Sequence, residues 1–429
     1  MAETGTDGFW ALRSGDESHL ACTDGAGFTL TYGELREAVR MITGELRTMG
    51  SRQLGFIECA ASPEWLICYL ATLAAGHVPL LIPEGLIEAL LGPLLQTYRP
   101  QWIWRSPSRQ EPRSGADSVI DHAVAGFQVR ADGFTPDLHP ELGCLLSTSG
   151  STGSPKLVRI SYQALDVNAR SIADYLGLGT NERALTTLPT SYSYGLSVVN
   201  SHLRAGATLV LRSVSPISRE FVDVINSEGI TSLAGVPSWY QMLLRTGFDK
   251  AETPSVHTLT QAGGRLDDRI KRAVLAMAGR KGIRFFVMYG QTEATARISY
   301  VPPETLAQHM DSIGIPIPGG KILLDPKTSE IIYQGPNVMM GYAESAGDLA
   351  MPDECHGILS TGDIGAVDDS GYFRITGRLK RVIKLSGNRF GLDEVEHNLV
   401  QLLDAPVAVT GRDEKLGVFI EGDKASLLE

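Results

Sequence analysis

The chain has 429 residues, 43% hydrophobic and 20% charged, with a formal net charge of −11. That length is too great for one hydrophobic core and implies two or three domains or subdomains of an ordinary soluble globular protein. The acidic balance and the lack of any Lys/Arg block argue against a nucleic-acid partner.

Cys22, Cys59, Cys68, Cys144 and Cys355 are widely spaced and form no CxxC or His/Cys ligand pattern, which fits a reduced, cytoplasmic chain. The N-terminus MAETGTDGFW has no basic region followed by an apolar one, so no secretory signal is expected. The most apolar stretch, LLIPEGLIEALLGPLL, is interrupted by Pro83, Glu84, Glu88 and Pro93 and is too short to span a bilayer, so no membrane partner is expected.

In chain order, Thr31 and Glu34 make a capping box, and Leu35, Ala38, Val39, Ile42 and Leu46 recur at helical spacing, which predicts an amphipathic helix over 32–47. LGFIE then reads as a strand, and EWLICYLATLAAG, apolar nearly all round, as a helix buried between layers. Strand-like ATLVL, ITSLAG and RFFVMYG alternate with helical REFVDVINSEG and LDDRIKRAVLAMAGR, the pattern of a parallel sheet covered by helices. From about 313 the texture changes to short strands around Pro/Gly turns, an antiparallel or barrel-like subdomain. A last unit from Gly377 to Glu429 reads as strand RVIKL, turn, helix DEVEHNLVQLL and two strands. It is small enough to be marginal or mobile alone.

Residues 146–157, LSTSGSTGSPKL, follow a predicted strand at Gly143–Leu146. The composition suits a surface connection, but backbone N–H groups, hydroxyls and one ammonium at the end of a strand are also the parts of an anion cradle. The GxxxxGK[ST] phosphate loop is not matched, because Lys156 follows Pro155 and precedes Leu157. Four more clusters each have a plain alternative: QAGGRL (261–266) as a tight turn, MYGQTEA (288–294) as a strand-end loop, STGDIG (360–365) as an Asx turn, and GRLKRVIKLSGNRFGLDEVE (377–396) as a solvated basic face.

The joint order of TYGEL, AAGHVPL, TSGSTGSPK, LPTSYSYGLS, YGQTE, STGD and GRLKRVIKLSGNRFGLDEVE resembles the adenylate-forming superfamily of acyl-CoA and aryl-CoA synthetases, luciferases and peptide-synthetase adenylation domains. The resemblance implies an α/β fold: a large N-terminal αβαβα domain over 1–376, with its β-rich subdomain at about 313–376, and a small α+β C-terminal domain over 377–429 on a hinge at Lys380. It implies ATP and Mg²⁺ as cofactors and a small carboxylic acid as substrate. The acid is activated as an acyl-adenylate with release of pyrophosphate, then passed to a thiol of CoA or of a carrier protein. Transfer to an amine or another nucleophile, and a catalytically reduced nucleotide- and acyl-binding subunit, are the alternatives.

By the same resemblance, Ser149, Ser151, Thr152 and Lys156, with Gly153, hold the β,γ-phosphates, Thr292 meets the α-phosphate, and Glu293 is the metal ligand. Gly264 and Tyr289, with Gly263 and Gly290, enclose the adenine, and Asp363 and Arg378 take the ribose hydroxyls. Tyr192, Tyr194, Gly195, Gly264 and Met288 line the acid pocket, and His202 reads as a structural histidine.

Two departures from the family pattern shape the expectation. LPTSYSYGLS carries no carboxylate to pair with a substrate ammonium, so an aryl or aliphatic acid with a neutral chain is expected and an α-amino acid is not. The family's PxxxxGK element after GVFIEG has no match in EGDKASLLE, where Lys424 lacks the preceding Pro and Gly, so a shortened C-terminal domain is expected.

Overall fold

A computed structural model describes residues 8–13, 16–86, 88–106, 124, 126–129, 134–147, 156–379, 382–385, 388–403, 405–412 and 415–421. The strand–helix alternation builds two large sheets. The first has nine strands, with Arg284–Tyr289, Thr258–Gln261, Ser232–Gly235, Arg183–Leu185, Thr208–Val210 and Leu20–Thr23 running parallel in that order. Antiparallel strands close its two edges. The second has seven strands around a parallel group formed by Leu142–Ser147, Val78–Pro83, Leu54–Cys59 and Trp102–Trp104.

Four helices fill the space between the sheets. Tyr32–Met49 and Ser193–Arg204 lie against the first sheet and pack on Pro63–Ala74 and Tyr162–Leu176, which lie against the second. The predicted capping box is present, with the Thr31 side chain accepting from the Glu34 N–H and Glu34 accepting from Thr31. Every residue from Pro63 to Leu73 is buried, as an all-apolar helix between two layers requires. Pro237–Arg245 and Asp268–Lys281 cover the outer face of the first sheet. This is the αβαβα layering expected. The apolar stretch after residue 79 divides into the strand Val78–Pro83 and the helix Glu88–Tyr98, which continues through Pro93. No helix among the described residues is long and apolar enough to cross a membrane.

After residue 320 the strands Lys321–Leu324, Glu330–Gln334, Ile358–Val367 and Phe373–Arg378 form an antiparallel sheet. One strand inside this stretch, Gly341–Ala343, leaves it and pairs with Leu157–Arg159 at the edge of the seven-stranded sheet. In the last unit the helix Leu392–Leu403 packs on the strand Val407–Arg412, which pairs with Lys415–Ile420.

His77 and His202 are both buried and neutral. His77 accepts from the Gln53 N–H and bonds the Leu46 carbonyl, while His202 joins the Val198 carbonyl to the Ser232 hydroxyl. Burial holds both below the ordinary histidine value. The unfolded chain therefore binds more protons as pH drops, and stability present above about 6.5 is lost on acidification. We expect Tm to fall between about pH 7.5 and 5.5, with a shallower slope in the His77→Gln/His202→Gln double variant. A double variant with the wild-type slope would refute this account.

Candidate active site

The site sits at the carboxyl ends of the central strands of the nine-stranded sheet, where open α/β sheets bind ligands. Thr258–Gln261 runs into the Gly263–Gly264 turn, where φ is +80° and +155°, values that favour glycine. The adjacent parallel strand ends at Tyr289, beside that turn. At Gly290 a Cβ would lie 1.8 Å from the Ala296 carbonyl oxygen, so a side chain there would break the loop that follows.

That loop carries the expected site residues Thr292 and Glu293. Thr292–Ala294 form a single turn of 3₁₀ helix. The Thr292 hydroxyl is 3.2 Å from that of Ser193, the first residue of the helix Ser193–Arg204, which also holds Tyr194 and Gly195. Glu293 points the other way, and its Oε1 accepts from the Tyr342 hydroxyl at 2.8 Å. The Lys156 Nζ lies 3.7 Å from the centre of the Tyr342 ring and 3.7 Å from Glu344. Tyr342 thus joins Lys156 and Glu293, which sequence separates widely. Burial, and then the Glu293 charge, push its hydroxyl above the ordinary range, so it remains a donor.

Tyr342 is held by the Gly341–Ala343 strand, and buried Arg159 secures that strand. Its guanidinium donates to the Met340 and Tyr342 carbonyls, each at 3.2 Å, and pairs with Glu354 at 2.5 Å. Asn337, also buried, straps the Thr292 loop: its Nδ2 donates to the carbonyls of Ala294 (2.7 Å) and Arg297 (2.8 Å), and its carbonyl accepts from the Thr295 hydroxyl at 2.7 Å. Thr295 and Ala296 both have positive φ, +53° and +108°, a strained path that this strap maintains.

Asp363 lies in the strand Ile358–Val367, directly after Gly362, whose φ of +75° marks a local turn, and it pairs across the sheet with Arg378. Its buried carboxylate accepts from Tyr289 Oη at 2.5 Å, Gln291 Nε2 at 3.3 Å and Arg378 Nε at 3.0 Å. Burial first, then the Asp363 charge, raise the Tyr289 hydroxyl, which stays protonated and donates.

The expected acid-pocket residues also meet. Tyr194 is fully buried and bonds both the carbonyl and the hydroxyl of Thr260, at 2.8 and 2.9 Å. Tyr192 is half-buried, its ring edge-on to Tyr194. Met288 accepts from the Tyr175 hydroxyl at 3.0 Å. His202 is a satisfied buried histidine, as expected, though it also lines a cleft beside Met288. Ser149, Ser151, Thr152, Gly153, Lys380 and Lys424 lie outside the described residues. Sequence reasoning gave no role to Gln291, although it lies inside YGQTE, and missed Tyr342, Asn337, Arg159 and Arg297, none of which lies at a local turn or motif position that would single it out.

The comparison that decides the family is with its sequence model, described as AMP-binding enzyme, which matches residues 10–343. The chain belongs to this family. As a member it is an ATP-dependent acid ligase of the AMP-forming kind. It is 33% identical over 438 residues to an indoleacetate–CoA ligase of Aromatoleum aromaticum, and 28% identical over 415 residues to a feruloyl-CoA synthase of an Amycolatopsis species. Each alignment covers 91% of this chain and 82% of the relative. An o-succinylbenzoate CoA synthetase of Bacillus subtilis, solved with its acyl-adenylate, shares the fold at a TM-score of 0.77 and 22% identity, over 98% of this chain and 90% of that one. The same enzyme has also been solved with ATP and a magnesium ion.

Proposed function

We propose that this ligase activates an aryl or aliphatic carboxylic acid, not an α-amino acid, and passes the acyl group to the thiol of CoA or of a carrier protein. The single observation that carries the acid class is the pocket wall: Tyr192 and Tyr194 stand where a carboxylate would be needed to hold an ammonium, and Tyr194 is sealed against Thr260. The names of the two aryl-acid CoA ligases above support the aryl acid and the thiol acceptor.

In the first step a carboxylate oxygen bonds to the α-phosphorus of ATP and the bond to the bridging oxygen breaks, leaving pyrophosphate and the mixed anhydride. Two anions must meet, so the work of the protein is positioning and charge stabilisation. Thr292, held against Ser193, donates to the α-phosphate, and Lys156, parked on the Tyr342 ring, reaches the leaving phosphates with Ser149, Ser151 and Thr152. Gly263, Gly264, Tyr289 and Gly290 enclose the adenine, while Asp363 and Arg378 hold the ribose. Glu293 offers one carboxylate next to the phosphate path, the usual protein share of a Mg²⁺ site completed by substrate phosphates. A Mg²⁺ held by Glu293 would supply positive charge against that building on the leaving pyrophosphate. Lys380 serves as the pivot of the small domain between the two half-reactions.

A panel of acids tested by pyrophosphate exchange checks the substrate class. Aryl and aliphatic acids are expected to support exchange, with free α-amino acids lower by about 10²-fold or more in kcat/KM. A standard amino acid with the highest kcat/KM would overturn the reading.

A further inference from the structure

Arg297 lies four residues beyond Glu293 and is 2% exposed, yet no ion pair to it forms among the described residues. Its Nη1 donates to the Ala296 carbonyl at 3.2 Å, and its guanidinium sits 4.2 Å from the centre of the Tyr194 ring. The Nε is buried without a hydrogen-bond partner. Arginine cannot shed its charge by deprotonating, so this group is a buried cation balanced only by a ring face and neutral oxygens.

The surroundings say where the missing anion belongs. Arg297 lines a small, mainly apolar cleft between the helices Tyr162–Leu176 and Ser193–Arg204 and the face of the nine-stranded sheet, together with Ala234, Thr260, Met288 and His202. His202, which is neutral or cationic in either protonation state, supplies no counter-charge. The hydroxyls of Tyr175, Tyr192 and Tyr194 all feel the Arg297 charge, which opposes the burial that pushes them up. Contacts run continuously from the reacting end: Thr292 touches Ser193, Tyr194 is the next residue, and its ring faces Arg297. The strained Thr295–Ala296 path, strapped by Asn337, leads straight into Arg297 and fixes the direction from which it enters.

We propose that Arg297 is the specificity residue of the acyl pocket and selects acids that carry a second carboxylate at the end remote from the one activated. This rests on the ligase reading above and narrows it, because the far end of the chain is then anionic rather than neutral, as the tyrosines alone suggested. A carboxylate accepts two parallel bonds from a guanidinium, and in a desolvated cleft such a pair discriminates strongly against an acid that leaves the cation bare.

The test compares straight-chain monocarboxylic acids with α,ω-dicarboxylic acids of equal length, and aryl monoacids with their para-carboxy analogues. Binding to the ATP-free protein is measured by calorimetry, and turnover by pyrophosphate exchange. The diacids are expected to exceed the matched monoacids by about 10²-fold in both, and Arg297→Met to reduce that ratio to about tenfold or less. Arg297→Lys, which keeps the charge but loses the planar fork, should fall between them. Because the ligand-free protein buries this cation uncompensated, Arg297→Met should hold or raise Tm, whereas the diacid should raise Tm in the wild type. Equal binding of matched acids to the wild type would overturn the proposal and leave the ligase reading standing. A large drop in Tm for both variants, with the wild-type diacid ratio retained, would show Arg297 to be structural and would equally overturn it. Diacid-selective binding with no exchange from any acid would uphold Arg297 and remove the ligase reading alone.

Discussion

Glu293→Gln is expected to lower kcat by about 10²-fold or more, roughly 3 kcal/mol of transition-state stabilisation. The substitution keeps an oxygen acceptor for the Tyr342 hydroxyl, now 2.8 Å from Oε1, and leaves untouched the backbone bond from the Met339 N–H to the Glu293 carbonyl. The loop should therefore hold its shape and Tm should stay near the wild-type value. Only the negative charge is lost, so the deficit should appear as a raised requirement for Mg²⁺ as well as a lower kcat. Tyr342→Phe is the companion measurement. It removes the donor while retaining the ring on which Lys156 rests, 3.7 Å away, and should cost about tenfold or less. Glu293→Gln with near-normal kcat and an unchanged Mg²⁺ response would mean that another group carries the metal.

The motif residues were legible because they sit where local rules are strong. A glycine pair after an apolar strand, or a Thr–Glu pair after another, marks the carboxyl ends of parallel strands, and the structure sets those ends side by side through the pairing of Gln261 with Val287. The capping box at Thr31 and Glu34 is equally local and fixed the start of its helix correctly. Tyr342 was invisible for the opposite reason: it acquires its role only when Gly341–Ala343 pairs with a strand about 180 residues earlier, a contact that no periodicity encodes. For Asp363 the turn at Gly362 is legible locally, whereas the long antiparallel pairing with Phe373–Arg378 that sets it opposite Arg378 is not. Arg297 carried no signal at all, since a single arginine in a run of small residues reads as surface until burial shows otherwise.

Lys156 and Glu293 also illustrate how the fold divides labour. The cation and the carboxylate would attract each other directly if free to move, but the Tyr342 side chain separates them, taking Lys156 on its face and Glu293 on its hydroxyl. Each is thus held close to the other without neutralising it. Glu344, at 3.7 Å from Lys156 and largely exposed, is a loose pair worth little to either charge.

Asp363→Ala should raise the Kd for ATP by about 10²-fold while leaving acid binding to the ATP-free protein unchanged. A carboxylate has about four acceptor positions. In the ligand-free structure Oδ2 receives Tyr289 and Gln291, and Oδ1 receives Arg378. One position on Oδ1 remains for a ribose hydroxyl, and a second opens only if Arg378 swings aside. Arg378 can do so, because its side chain is 66% exposed whereas that of Asp363 is 3% exposed. The half-buried Tyr289 cannot leave without exposing a hydroxyl that burial has already made a committed donor. The two partners should therefore respond differently: Arg378→Ala should change the Kd for ATP by about tenfold or less, since it removes one exposed pair and frees an acceptor. Tyr289→Phe should weaken ATP more than Arg378→Ala does, because it leaves the buried carboxylate under-bonded and misdirected toward Gln291. Titration of the three variants with ATP by calorimetry gives the order directly. An ATP affinity for Asp363→Ala within about threefold of wild type would remove Asp363 from the ribose site altogether.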